Sequence, residues 1–275
     1  MGGGVLGNAD HTLVMGVVNV TPDSFSDGGD HFDPEAAVRR GLEMWSQGVD
    51  MVDVGGESTR PGAEGVDADE EARRVLPVVT ALASAGVVVS VDTSKAEVAA
   101  AALEAGAAVI NDVTALGDPA MAEIVAGAGA GLILMHMRGT PRTMQSEPRY
   151  DDVVEEVRAD LLRRAGAAIA AGVAEAAICL DPGIGFGKDL EHNLVLLTNG
   201  VAALADSGHP VLVGASRKSF IDRVIGGVPP RERDPATVAA HTMAIASGAT
   251  MIRVHDTLGG LRAARVADAI VRGAK

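Results

Sequence analysis

Residues 87–111 read VVVSVDTSKAEVAAAALEAGAAVIN. The run Val87-Val88-Val89-Ser90-Val91 is short, β-branched and almost continuously apolar. A strand covered on both faces of a parallel sheet has that pattern. A polar break, Asp92-Thr93-Ser94, leads into a helical stretch over 95–105. Gly106 follows, suited to the left-handed conformation that ends a helix. A second apolar run, 108–110, then stops at Asn111. This is one strand–helix–strand unit.

The same alternation runs through the chain. Strands are predicted at 13–18, 50–54, 87–91, 108–110, 131–135, 177–180, 211–214 and 251–254. Helices are predicted at 34–47, 67–84, 95–105, 119–128, 151–171, 190–206, 235–247 and 257–272. In the first helix Ala37, Val38, Leu42 and Trp45 recur at helical spacing. The second opens with acids, which suit a helix N-terminus. Regular alternation without a composition break predicts one α/β domain. Eight units point to a closed (β/α)₈ TIM barrel rather than an open sheet. The first turn, Asn19-Val20-Thr21-Pro22-Asp23, lacks the Gly-x-Gly-x-x-Gly of a dinucleotide fold, and there is no Gly-Lys-Ser phosphate loop.

Composition narrows the class. The 275 residues are 47% hydrophobic and 22% charged, enough for one full core. A formal net charge of −14 leaves no basic footprint for nucleic acid, although local donors can still hold a small anion. The single cysteine, Cys179, lies in an apolar run and reads as a core residue. One cysteine excludes an intrachain disulfide and fits a reducing cytoplasm. No apolar stretch approaches the roughly 20 residues of a membrane helix. Residues 1–12 are Gly-rich without a secretory pattern. They are expected to be a disordered tail before a barrel domain over 13–275.

The reactive face of such a barrel lies at the C-terminal ends of its strands. There the sequence places Asn19, Asp53, Asp92, Asn111, His136, Asp181, Ser216-Arg217-Lys218 and Arg253-Val254-His255. Strand ends meet solvent, so one polar residue would mean little; eight converging on one rim mean more. Asp53 lies inside Met51-Val52-Asp53-Val54, so it must face a ligand or be hydrogen-bonded. Arg253 and His255, two apart on a strand, point to one side and together make an anion clamp. Alternatively, Arg253 pairs with a nearby acid such as Asp256. Asp92, Asn111 and Asp181 suit a flat heterocycle rich in N–H groups. Asp92 could instead belong to a helix cap, although Thr93 or Ser94 would serve. Two Gly-rich loops, 21–29 and 55–62, are longer than a βα turn requires. They read as lids over the mouth, or more plainly as turns. A third, 181–188, allows backbone to approach a ligand.

These motifs, in this order, resemble those of the dihydropteroate synthases. The resembling pieces are residues 15–29, 53–62 and 90–93, Asn111-Asp112-Val113, Leu134-Met135-His136-Met137, residues 181–188, Ser216-Arg217-Lys218-Ser219 and Arg253-Val254-His255-Asp256. The family joins hydroxymethyl-dihydropterin pyrophosphate to p-aminobenzoate, releasing pyrophosphate, and is a sulfonamide target. The resemblance implies that Asp92, Asn111 and Asp181 bind the pterin, helped by Lys218. It implies that Arg253 and His255 hold the diphosphate, joined by Thr59 and Arg60. Lys218, Arg253, His255 and Arg60 would be the catalytic set. Phe25, Pro61, Phe186 and Ser216 would shape the aminobenzoate pocket, and Asn19 would ligate Mg²⁺. A cytoplasmic homodimer is implied as well. One departure is the segment 233–237, which lacks a glycine beside Thr237, at a helix start remote in sequence from these motifs.

Three rivals share some of these features. A cobalamin-linked methyltransferase acting on a folate would use the pterin acids but needs neither the diphosphate clamp nor Ser216-Arg217-Lys218. A glycosidase would use paired acids, yet sugar platforms are aromatic and aromatics are only 2% here. A catalytically silent pterin-binding paralogue would be signalled by loss of Asn19, Arg60, Lys218 or Arg253, and all four are present.

Overall fold

The computed structural model describes residues 5–6, 10–21, 33–58, 65–140, 143–144 and 148–273. Eight strands form one parallel sheet: β1 (Leu13–Asn19), β2 (Met51–Gly55), β3 (Val89–Asp92), β4 (Val109–Asp112), β5 (Gly131–Met135), β6 (Ile178–Asp181), β7 (Leu212–Val213) and β8 (Met251–Val254). Neighbours pair in the order β6-β5-β4-β3-β2-β1-β8-β7. A parallel bridge between Leu180 and Val211 closes the circle. The barrel expected from the alternation is therefore formed.

Helices wrap the outside: α1 (Pro34–Gln47), α2 (Ala68–Ser84), α3 (Ala96–Glu104), α4 (Met121–Ala128), α5 (Val153–Ala170), α6 (Leu190–Val195), α7 (Val201–Ala205), α8 (Ser219–Ile225), α9 (Asp234–Ala246) and α10 (Thr257–Val271). Their starts are written in the sequence. Asp33, Asp67, Asp152 and Asp256 each accept a backbone N–H from the first turn of α1, α2, α5 and α10. The predicted helix 190–206 is interrupted by a π segment, Leu196–Gly200, between α6 and α7. The short α8 is not marked by the sequence pattern. At seven residues it is too short to show helical periodicity clearly.

Inside the barrel the inner face changes character from floor to rim. Leu13, Met15, Met51, Val109, Ile133, Cys179, Leu212 and Met251 form an apolar floor. Leu6 plugs this floor from below at 1% exposure. Thr12 is bound through its N–H and hydroxyl to Asp268 of α10, both at 2.7 Å. The expectation of a disordered tail over 1–12 therefore fails at Leu6 and Thr12. Glycine-rich surroundings hid one apolar residue that the barrel needs as a plug. Strand side chains alternate between inside and outside, so Met51 is followed on the inner face by Asp53 and Met251 by Arg253. That alternation carries the chemistry to the rim.

Candidate active site

Asp53 is fully buried and accepts from Arg253 Nε at 2.7 Å and from Asn111 Nδ2 at 3.3 Å. Arg253 Nη2 reaches across to Asp92 at 2.8 Å. The partner of Arg253 is thus not Asp256, which caps α10 instead. Gly214 lies between Arg253 and Asp181. A Cβ there would stand 3.9 Å from Arg253 Cβ and 4.0 Å from Asp181 Oδ2. Asp181 also accepts the Gly183 N–H at 2.7 Å. Four strands, β2, β3, β6 and β8, so deliver three acids around one guanidinium.

Burial pushes Asp92 up to about 7, against the pull of Arg253 and with added repulsion from Asp53. Burial also raises Asp181, opposed by Lys218. Lys218 is pulled down to about 8 by burial, with Asp181 opposing. Burial works against the Arg253 charge too, but Asp53 and Asp92 overcome it and hold the guanidinium above its usual range. Three carboxylates face two cations, Arg253 and Lys218. With all ionised, the site carries one net negative charge and favours a guest bearing positive charge.

Lys218 precedes α8, donates to the carbonyl of Ile184, and holds its Nζ 4.2 Å from the centre of the Phe186 ring. That contact joins the β7 end to the loop after β6. The loop needs its glycines. At Gly183, φ is 67° and a Cβ would fall 1.9 Å from the His136 carbonyl oxygen. Beneath it lies Lys188, 2% exposed. Its Nζ meets His136 Nδ1 at 3.0 Å, the His136 carbonyl at 3.2 Å and the Phe186 carbonyl at 2.9 Å. Burial draws Lys188 down to about 7, with Asp181 opposing. His136 is likewise lowered to about 3 by burial and the neighbouring Lys188. His136 therefore acts as a neutral partner of Lys188 below the rim.

Ser216 Oγ lies 2.9 Å from His255 Nδ1 and accepts the His255 N–H at 3.2 Å. The structure thus ties Ser216, expected with the aminobenzoate pocket, to His255, expected with the diphosphate. Asn19 ends β1 beside Gly55. A Cβ on Gly55 would sit 3.9 Å from Asn19 Oδ1 and 3.5 Å from Asp92 Cβ. Among the described residues no three His, Cys, Asp or Glu gather as a metal cage. A single neutral oxygen at the mouth fits Mg²⁺, which keeps waters and takes its other ligands from phosphate.

Phe25, Thr59, Arg60 and Pro61 lie outside the described residues. The stem before Thr59 is described and firmly held. Lys95 bridges Glu57 and the buried Glu71, and Arg74 Nη1 donates to the Gly56 carbonyl at 3.0 Å. In sequence Lys95 marks only a helix start and Glu57 only a loop. The Lys95 links join two different βα units, so no local spacing marks them. Asp53 was flagged by its place in an apolar run, but its partners Arg253 and Asn111 lie 200 and 58 residues away.

A family model described as pterin binding enzyme matches residues 15–255. The dihydropteroate synthase of Mycobacterium leprae is 48% identical over 263 residues, 93% of this chain and 92% of that protein. A solved Xanthomonas albilineans dihydropteroate synthase with 4-aminobenzoic acid superposes with a TM-score of 0.89. It is 46% identical, covering 95% of this chain and 93% of that one. A Yersinia pestis dihydropteroate synthase in a sulfonamide drug complex gives 0.90 at 44% identity, covering 96% and 95%.

Proposed function

Since the chain belongs to the pterin-binding enzyme family, we propose that the acids, guanidinium and lysine at the barrel mouth carry its reaction. It is a transferase with dihydropteroate synthase activity, joining hydroxymethyl-dihydropterin pyrophosphate to p-aminobenzoate in folate synthesis. The observation that carries our reading of the site is the Asp53–Arg253–Asp92 bridge, with Asp181 and Lys218 facing it. A drug complex of a 44% identical relative supports sulfonamides as ligands of this chain.

Asp92, Asn111 and Asp181 bind the pterin ring and Lys218 assists. Arg253 and His255 hold the diphosphate, with Thr59 and Arg60 joining from the second loop. Reaction begins as the bond between the pterin methylene and the diphosphate oxygen breaks, its electron pair leaving with the diphosphate. Arg253 and His255 stabilise that growing negative charge. The methylene carbon left behind is cationic and delocalised into the ring, and Asp92 and Asp181 stabilise it. The aminobenzoate nitrogen, held among Phe25, Pro61, Phe186 and Ser216, donates its lone pair to form the new C–N bond. Its proton then passes to the released diphosphate. Water must be kept out while the cation exists. Asn19 would hold Mg²⁺ on the diphosphate, and the metal when bound supplies further neutralisation of the leaving group.

We further assign a homodimer and a cytoplasmic location. α9 and α10 pack together and leave Met243, Val266 and Ile270 exposed at 54%, 60% and 75%. Apolar side chains that open to water favour a second copy. The lone cysteine, buried in the floor, suits a reducing compartment.

Purified protein given Mg²⁺ and both substrates tests the reading. It should form dihydropteroate and pyrophosphate in equal amounts and stop on chelation. Pterin pyrophosphate binding without product would favour the silent paralogue; no binding would overturn the site.

A further inference from the structure

Arg217 stands between two residues of the site, Ser216 and Lys218, and its backbone is left-handed with φ 60°. Among the described residues only Ala115 and Leu116 share that conformation without being glycine. Those two lie in a turn whose N–H groups Asp112 satisfies at 2.8 Å (Thr114) and 2.6 Å (Leu116). A side chain makes this conformation unfavourable, and it persists only when neighbours over-determine it.

At Arg217 the neighbours do so from every direction. Its Nε and Nη2 donate to the two oxygens of Asp234 at 2.7 and 2.8 Å, the two-pronged geometry that suits a guanidinium. Its backbone N–H donates to Thr237 Oγ1 at 3.1 Å. Its carbonyl accepts from Arg233 Nη1 at 3.1 Å, and Arg233 is itself fixed by the Val228 carbonyl at 3.0 Å and Asp222 at 3.2 Å. All three partners come from the entry to α9. This is the segment 233–237, remote from the motifs in sequence and adjacent to them in space. Ala236, beside Thr237, lies within α9, where alanine is favourable.

We propose that Asp234, with Thr237 and Arg233, is a positioning group for the reaction. By clamping Arg217 in its left-handed turn, it sets Ser216 against His255 and Lys218 against Phe186. Arg217 acts through the turn and does not itself bind substrate. The proposal rests on the reading of the mouth given above.

Glycine accepts this backbone freely and alanine does not, so paired substitutions separate conformation from contact. Steady-state kinetics with both substrates should compare the wild type with Arg217→Ala, Arg217→Gly, Asp234→Asn and Arg217→Gly/Asp234→Asn. The left-handed penalty converts to a factor on the order of ten, so Arg217→Gly should exceed Arg217→Ala in kcat/KM by about that much. Asp234→Asn should impair the wild type and add nothing to Arg217→Gly. The alkaline limb of the pH profile set by Lys218 should move in Arg217→Ala and hold in Arg217→Gly. Thermal melts identify any variant that is unfolded; Asp234→Asn keeps the side-chain shape and decides the matter if others fail. Equal impairment of Arg217→Ala and Arg217→Gly, or additive losses in the double variant, would overturn the proposal. An inactive wild type would overturn the functional reading instead.

Discussion

Arg253 Nε donates to the fully buried carboxylate of Asp53 at 2.7 Å, across the inside of the barrel. The other Asp53 oxygen is buried without a hydrogen-bond partner. The Asp53 contact therefore fixes the direction in which the Arg253 guanidinium points. Removing one partner of a buried pair leaves the other unpaired, so Asp53→Ala should lower the unfolding free energy by roughly 3 kcal/mol. Urea titration measures this. A loss below about 0.5 kcal/mol, typical of a surface change, would mean that Asp92 alone fixes the guanidinium.

The pH profile of kcat/KM for pterin pyrophosphate should be a bell, because it reports ionisations of the free enzyme. Asp92, raised to about 7 chiefly by burial, must be ionised to receive a cation, so activity falls as pH drops through that value. Lys218, lowered to about 8 by burial, must keep its proton, so activity falls again above it. Lys218→Arg should carry the alkaline limb beyond pH 9 or so, since guanidinium does not titrate there. An unchanged limb in that variant would assign it elsewhere.

Lys95 anchors the stem of the second loop by joining Glu57 to buried Glu71, whose other oxygen has no hydrogen-bond partner. Lys95→Met should destabilise by about 3 kcal/mol, because the buried Glu71 carboxyl is left without its partner. Adding Glu71→Leu should restore most of that loss, since an apolar replacement of both partners removes the unpaired charge. Denaturant unfolding of the single and double variants checks the pair; a double variant as unstable as the single one would contradict it.

Lys188 gives a stability signature in pH. Its folded value of about 7 lies below the ordinary 10.5. Between those values the unfolded chain binds more protons, so Lys188 makes stability rise with pH across that window. The effect is absent in Lys188→Met. The gap between wild type and variant should therefore shift in favour of the wild type from pH 7 to pH 10, by at most about 1.4 kcal/mol per unit. Parallel curves over that range would show Lys188 titrating at its ordinary value.

The fold is readable because each strand is a separate apolar run, and the long helices α1, α2, α5 and α10 start at capping aspartates. All eight strands lie within two residues of where the runs place them. The rim was readable for a related reason: a polar residue ending an apolar run faces the mouth. What could not be read is who pairs with whom. Arg253 with Asp53, Lys95 with Glu71 and Arg217 with Asp234 are matches set by barrel closure and helix docking. His136 departs from that rule, since one step beyond β5 its ring is buried against Lys188 instead of opening at the mouth. Leu6 escaped notice because a single leucine among glycines has no period.

If Arg253 stabilises the departing diphosphate, its loss must show in dihydropteroate formation by Arg253→Ala, measured with both substrates saturating and Mg²⁺ present. By analogy with losing one oxyanion donor, kcat should fall about a hundredfold or more, in a protein that still melts cooperatively. A kcat within about threefold of the wild type, under half of the energy of even a weak charged hydrogen bond, would contradict it.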